Sequence, residues 1–191
     1  MKEKLKKILI FFLLISFSTP AIASEIEKRL ALVIGNANYE NNGELKNPVN
    51  DAVLVSNTLD SLGFEVMLHT NIPNKFEFDQ IVLEFGEKRS EYDVAFVYYA
   101  GHAVQIGSIN YLLPTKVNFK SEKHVRQLAF NVQDLMMWLD GVTDQVNVLI
   151  LDACRDNPYE TIWNRTRSVK GSGLAKMSPP TGSIIAFSTG A

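Results

Sequence analysis

The chain has 191 residues, of which 46% are hydrophobic and 21% charged, a balance that suits one globular domain with a sizeable core and no repeat or low-complexity tract. Removing residues 1–23 takes away four lysines and one glutamate, leaving 15 Lys plus Arg against 20 Asp plus Glu, a net charge of −5. A mildly acidic domain has no electrostatic reason to bind nucleic acid.

Met1–Lys7 is basic, Ile8–Phe17 is almost unbroken apolar sequence, and Ala21 and Ala23 supply the small residues that a signal peptidase reads. Residues 1–23 therefore read as a removable secretory signal, placing the mature chain in the periplasm or outside the cell and off the membrane. An uncleaved anchor is the alternative, although the apolar run is shorter than the span of about 20 residues that a bilayer requires.

Arg29–Gly35 (RLALVIG) predicts a short buried strand, and a polar Asn- and Gly-rich loop follows to Asn47. Asn47 and Pro48 read as a capped helix start, with a helix to about Leu62 stopped by Gly63. Phe64–Leu68 predicts a second strand. Asn74 opens a second helix whose Phe78, Ile81, Val82 and Phe85 recur at helical spacing. Tyr92–Ala100 is too uniformly apolar for a solvent face and points to a parallel strand covered on both sides. Val104–Leu113 reads as a hairpin around Gly107–Ser108, Asn131–Leu139 as a third helix ended by Gly141, and Val146–Leu151 as a fourth strand. Residues 155–180 turn polar and irregular before a fifth strand, Ser183–Phe187, after which the chain stops as though cut short of a finished domain. This alternation predicts an α/β domain, a mostly parallel sheet with helices on both faces.

Two strand ends carry chemistry. His102 follows the third strand and Cys154, the single cysteine, follows the fourth. Ligand crevices of open parallel sheets lie at the carboxyl ends of the strands, so both residues belong to one side of the molecule. A neutral thiol is only a few per cent ionised at pH 7; a neighbouring imidazole can take its proton and later return it to a leaving amine, which favours amide hydrolysis. Taken singly, a buried cysteine and a hydrogen-bonded histidine are ordinary packing residues, and it is the pair that points to catalysis. His69 and His124 have no such setting, and one cysteine with three scattered histidines offers no zinc-ligand spacing.

The segments Tyr98–His102 (YYAGH), Asn110–Pro114 (NYLLP) and Leu151–Pro158 (LDACRDNP), with Leu32–Asn36 and Asn50–Ala52, resemble the caspase-like cysteine peptidases: caspases, metacaspases and paracaspases. The resemblance spans roughly residues 28–191 and implies that residues 24–191 form one catalytic domain of caspase-haemoglobinase fold, lacking a last strand and helix. It implies His102 as general base, Cys154 as nucleophile, and an oxyanion hole formed by the backbone N–H groups of Cys154 and Ala103. Ala103 stands where the family usually has glycine, which would displace the donor if the position required a positive φ.

Asp152 stands where aspartate-cleaving caspases have glutamine. A carboxylate there repels an acidic P1 side chain and pairs with Arg or Lys, as in metacaspases, and Asp51 and Ser188 complete the substrate-binding set by the same resemblance. Asp51 reads equally as a helix-dipole carboxylate, and Asp152 has the alternative of a strand-end cap. Arg155, Arg165, Arg167, Lys170 and Lys176 form either a solvated basic loop or a site of self-processing. No cofactor is called for; some metacaspases use calcium, but no loop here has EF-hand spacing. The expected partner is a protein or peptide substrate, with oligomeric state left open. A non-catalytic caspase-fold interaction module and a thiol hydrolase or transferase acting on small amides are the competing readings. The polar stretch Tyr39–Lys46 carries no functional reading of its own.

Overall fold

The computed structural model describes residues 27–41, 43–140, 145–153 and 174–188. The signal segment, the helix stop Gly141, Cys154 and the basic residues Arg155, Arg165, Arg167 and Lys170 lie outside the described residues.

Five strands, β1 (Arg29–Gly35), β2 (Phe64–Thr70), β3 (Val94–Gly101), β7 (Val146–Ala153) and β8 (Ser183–Ser188), form a parallel sheet in the order β2-β1-β3-β7-β8. Helices α1 (Pro48–Ser61), α2 (Lys75–Arg89) and α4 (Val132–Leu139) cover it. Successive side chains on a strand point to opposite faces, and the core divides accordingly. Leu30, Leu32, Ile34, Ala95, Val97 and Tyr99 pack with Phe78, Val82 and Phe85 of α2 and Leu135, Met136 and Leu139 of α4. Ala31, Val33, Tyr98 and Ala100 pack on the other face with Ala52 and Leu59 of α1. Helices on both faces explain why β3 and, after Arg29, β1 lack a polar face.

The hairpin is β4 (Ala103–Ile106) and β5 (Ile109–Leu112), extended by the two-residue β6 (Phe130–Asn131) into a separate antiparallel sheet. A short helix, α3 (Glu122–Leu128), precedes β6; neither element is apparent from the periodicity, because α3 buries only Val125 and has no apolar stripe to read.

Helix α1 begins where the Asn-Pro pair predicts, but for a different reason. Asn47 has helical dihedrals and its side chain makes no capping hydrogen bond, so Pro48 at the first turn is what remains of the start signal. Gly63, at φ 81, ends the helix as expected. Asn74 caps α2 properly, accepting from the Glu77 N–H at 3.0 Å. Gly35 lets α1 lie close on β1: a Cβ there would be 2.5 Å from the Pro48 carbonyl oxygen. That contact brings the first turn of α1, and with it Asp51, against the carboxyl edge of the sheet.

Candidate active site

Strands β3 and β7 are hydrogen-bonded neighbours, with Ala100 opposite Asp152 and Gly101 opposite Ala153. His102 is the next residue after Gly101, in the break between β3 and β4, and Cys154 is the next residue in the chain after Ala153. The His102 side chain is buried, with 7% of the residue exposed. Its Nε2 is 3.4 Å from the carbonyl oxygen of Gly43. A carbonyl can only accept, so this contact assigns the ring proton to Nε2 and leaves Nδ1 with a lone pair. Nδ1 is itself buried and has no hydrogen-bond partner among the described residues. A basic nitrogen so placed keeps its lone pair and is chemically a proton acceptor. Burial is the main cause lowering the His102 pKa below the ordinary histidine value, and the Gly43 carbonyl opposes it weakly.

Ala103 begins β4 opposite Leu112. The Leu113 N–H donates to the His102 carbonyl at 3.0 Å, which makes Ala103–Leu112 a non-hydrogen-bonded pair of the ladder. The Ala103 N–H therefore points away from β5. Among the described residues Asn71 is the one non-glycine with positive φ, so alanine is accommodated at 103 without the strain the sequence raises as a concern.

Asp51 and Asp152, 101 positions apart in sequence, line one cleft of about 240 Å³, with Leu45, Lys46, Asn47, Pro48, Ala100 and Gly101 completing its wall. Both aspartates are half-buried. The Tyr98 hydroxyl donates to Asp152 Oδ2 at 3.2 Å, fixing one oxygen of that carboxylate. Burial, then the charges of Asp152 and Asp51, push the Tyr98 pKa upward, so the phenol remains a neutral donor. Ser188 is paired with Asp152 in register but is exposed and does not line the cleft. The place of Asp51, in the first turn of α1 and on the cleft wall, suits both readings of it. Among the described residues no group of three or more His, Cys, Asp or Glu side chains could hold a metal ion.

The family model for the peptidase C14 caspase domain matches residues 28–190. The chain belongs to this caspase-domain family. The human mucosa-associated lymphoid tissue lymphoma translocation protein 1 is 28% identical over 135 residues, covering 69% of this chain and 16% of that protein. The caspase domain thus spans a small part of the curated relative it matches. Among solved structures, pro-Sf-caspase-1 superposes with a TM-score of 0.56 at 14% identity over 85% of this chain and 61% of that one. Protein GSU0716 from Geobacter sulfurreducens gives 0.53 at 14% identity, over 73% and 56% respectively. These likenesses show the caspase-haemoglobinase fold.

Sequence reading missed two contributors to this caspase domain, both from the loop it left without a role. The Gly43 carbonyl meets His102 through the backbone, so no side-chain identity signals it. Tyr39 packs its ring on the imidazole with centroids 4.5 Å apart and planes at 54°. The Asn36-to-Tyr39 spacing after β1 is the only local clue, and it becomes meaningful once β1 and β3 are adjacent.

Proposed function

We propose that the protein is a cysteine endopeptidase in which His102 and Cys154 form the catalytic dyad and Asp152 and Asp51 select Arg or Lys at P1. The observation that carries this reading is the register of β3 on β7. His102 and Cys154 each follow, by one residue, the paired positions Gly101 and Ala153. Neighbouring strands are about 4.8 Å apart and successive Cα atoms about 3.8 Å apart, distances that favour contact between the two side chains.

In this mechanism His102 Nδ1 takes the Sγ proton of Cys154 as sulfur attacks the scissile carbonyl carbon. The resulting oxyanion is held by the Ala103 and Cys154 N–H groups. The imidazolium, steadied by Nε2–H to the Gly43 carbonyl, gives its proton to the leaving amine, and the C–N bond breaks to leave a thioester. Water, deprotonated by the same nitrogen, then hydrolyses the thioester and restores the thiol. A guanidinium or ammonium in the cleft meets two carboxylates, one of them oriented by Tyr98. Lys46 on the cleft wall is a competing cation, and it is exposed enough to swing aside. The same proposal has the protein acting on proteins or peptides, without a required cofactor, in the periplasm or outside the cell after residues 1–23 are removed.

The test is cleavage of matched fluorogenic peptides with Arg, Lys or Asp at P1, with and without calcium, beside Cys154→Ala. Expected is thiol-dependent cleavage after Arg or Lys that the variant lacks and that calcium does not change. Cleavage after Asp keeps the dyad and overturns the pocket. No turnover by the folded protein overturns the enzyme and favours a caspase-fold interaction module.

A further inference from the structure

The backbone of His102 is held at both ends by phenols. Its N–H donates to Tyr39 Oη at 2.8 Å, and its carbonyl accepts from Tyr99 Oη at 2.7 Å. The two hydroxyls are 3.3 Å apart. A phenol has one proton, and that of Tyr99 is committed to the His102 carbonyl, so in the contact between the two hydroxyls Tyr39 is the donor; the Leu113 carbonyl, at 3.4 Å, is a second acceptor for the same Tyr39 proton. The result is a one-directional circuit, His102 N–H to Tyr39, Tyr39 to Tyr99, Tyr99 to His102 C=O, with a branch from Tyr39 to the Leu113 carbonyl.

Gly101 makes room for this circuit. Its φ is 154°, and a Cβ there would be 2.7 Å from both Tyr39 Oη and Tyr99 Oη. The glycine before His102 therefore serves two hydroxyls as well as the chain turn. Tyr39 does more than close the circuit, because its ring also lies on the imidazole. The loop that carries it is pinned on several sides. Asn71 Oδ1 accepts from the Ala37 and Asn38 N–H groups at 3.0 Å each, Asn36 Oδ1 accepts from the Ile72 N–H at 3.0 Å, and the Glu40 N–H donates to the Thr115 carbonyl at 3.0 Å. The same loop carries Gly43, whose carbonyl meets Nε2. Residues of this one loop thus grip the main chain, the ring face and one ring nitrogen of the same histidine.

We propose that Tyr39 is the positioning residue of His102: its hydroxyl fixes the histidine backbone and its ring fixes the imidazole plane, so that Nε2 stays on the Gly43 carbonyl and Nδ1 stays free as base. The proposal deepens the peptidase reading and rests on it for its catalytic consequence. Its structural half stands independently. The titratable groups next to His102 among the described residues are the Tyr39 and Tyr99 phenols, and Tyr99 is fully buried, with its pKa pushed well up, so it stays neutral.

The experiment uses the full chain with Tyr39→Phe and Tyr39→Leu. In a Cys154→Ala background, nitrogen NMR reads the tautomer and titration midpoint of His102. In the otherwise native chain, kcat and KM are measured on an Arg-P1 peptide. Tyr39→Phe keeps the ring and breaks the circuit; it is expected to mix the two imidazole tautomers and to lower kcat about tenfold with KM within about twofold. Tyr39→Leu also uncovers the ring and is expected to raise the midpoint toward the ordinary value of about 6.5. A parental tautomer ratio and kcat in Tyr39→Phe overturn the proposal, even if Tyr39→Leu does not fold. If the parent chain cleaves nothing, the peptidase reading is what fails, and the tautomer measurement still decides the role of Tyr39.

Discussion

The His102 imidazole is buried against Tyr39, and burial penalises its charged form more than the Gly43 carbonyl favours it, so its pKa lies below the ordinary value of 6.5. His69, half-buried on β2, is lowered by the same dominant cause, against a smaller opposing effect of Glu84. For both, the unfolded chain takes up a proton at a higher pH than the folded one. Stability from these groups is therefore whole above the ordinary histidine range and is lost as pH falls below it. The melting temperature is expected to fall between pH 7 and pH 5, and replacing both histidines by asparagine is expected to flatten that slope; an unchanged slope would place the loss elsewhere. The cleft makes a separate prediction. Asp152→Asn keeps the shape of the site and the Tyr98 contact but removes a charge, so kcat/KM for Arg-P1 peptides is expected to drop roughly 10- to 100-fold, the range of a charge-assisted hydrogen bond. A neutral P1 peptide should lose much less, and steady-state kinetics on the matched pair reads the difference.

At the scale of elements, a buried cation ties together the amino edge of the sheet. Arg89, at the end of α2, is 1% exposed; its Nε and Nη2 donate to Asn147 Oδ1 at 2.9 and 2.7 Å, and Nη1 donates to the Tyr92 carbonyl. Asn147 Nδ2 in turn donates to the Leu139 carbonyl at 3.0 Å, at the end of α4. One asparagine on β7 thereby serves α2 and α4 together. Asn147→Ala leaves a buried guanidinium and a helix-end carbonyl short of partners, an expected loss of about 3 kcal/mol by urea unfolding. Adding Arg89→Met should recover part of it, because the unpaired charge is then gone; strict additivity of the two substitutions would contradict the linkage. The elements themselves differ in how far sequence exposes them. Strands β1 and β3 announce themselves through apolar runs that burial on both faces demands, and helix α2 through apolar residues at helical spacing on its one buried face. Helix α3 does not, because a seven-residue helix with one buried side chain is held by its Ser121 cap and its neighbours rather than by a pattern. The absent Asn47 cap shows the same limit: a residue type permits a hydrogen bond, and the approach of the preceding loop decides whether it forms.

For the whole molecule, the strand order β2-β1-β3-β7-β8 means that the candidate dyad depends on pairing between segments some fifty residues apart. No local unit contains the site. Peptide cleavage, far-UV circular dichroism and tryptophan fluorescence are therefore expected to be lost in one urea transition, as in a single cooperative domain. Activity lost at clearly lower urea would mean that the loop carrying Tyr39 and Gly43 opens on its own.

Family and fold class are properties that the sequence determines alone, because an apolar strand covered on two faces and a short motif at its end are both written in contiguous residues. His102, Cys154 and the charge of Asp152 are likewise readable there, since each follows a run that must be a buried strand. Other features exist only in three dimensions. The meeting of Asp51 with Asp152 needs α1 drawn onto β1 by Gly35. The release of the Ala103 N–H from its ladder needs the hairpin parity set by Leu113. The grip of Tyr39 and Gly43 on His102 needs β1 and β3 side by side, because a backbone carbonyl and a ring face become a histidine's environment only when distant segments fold against it.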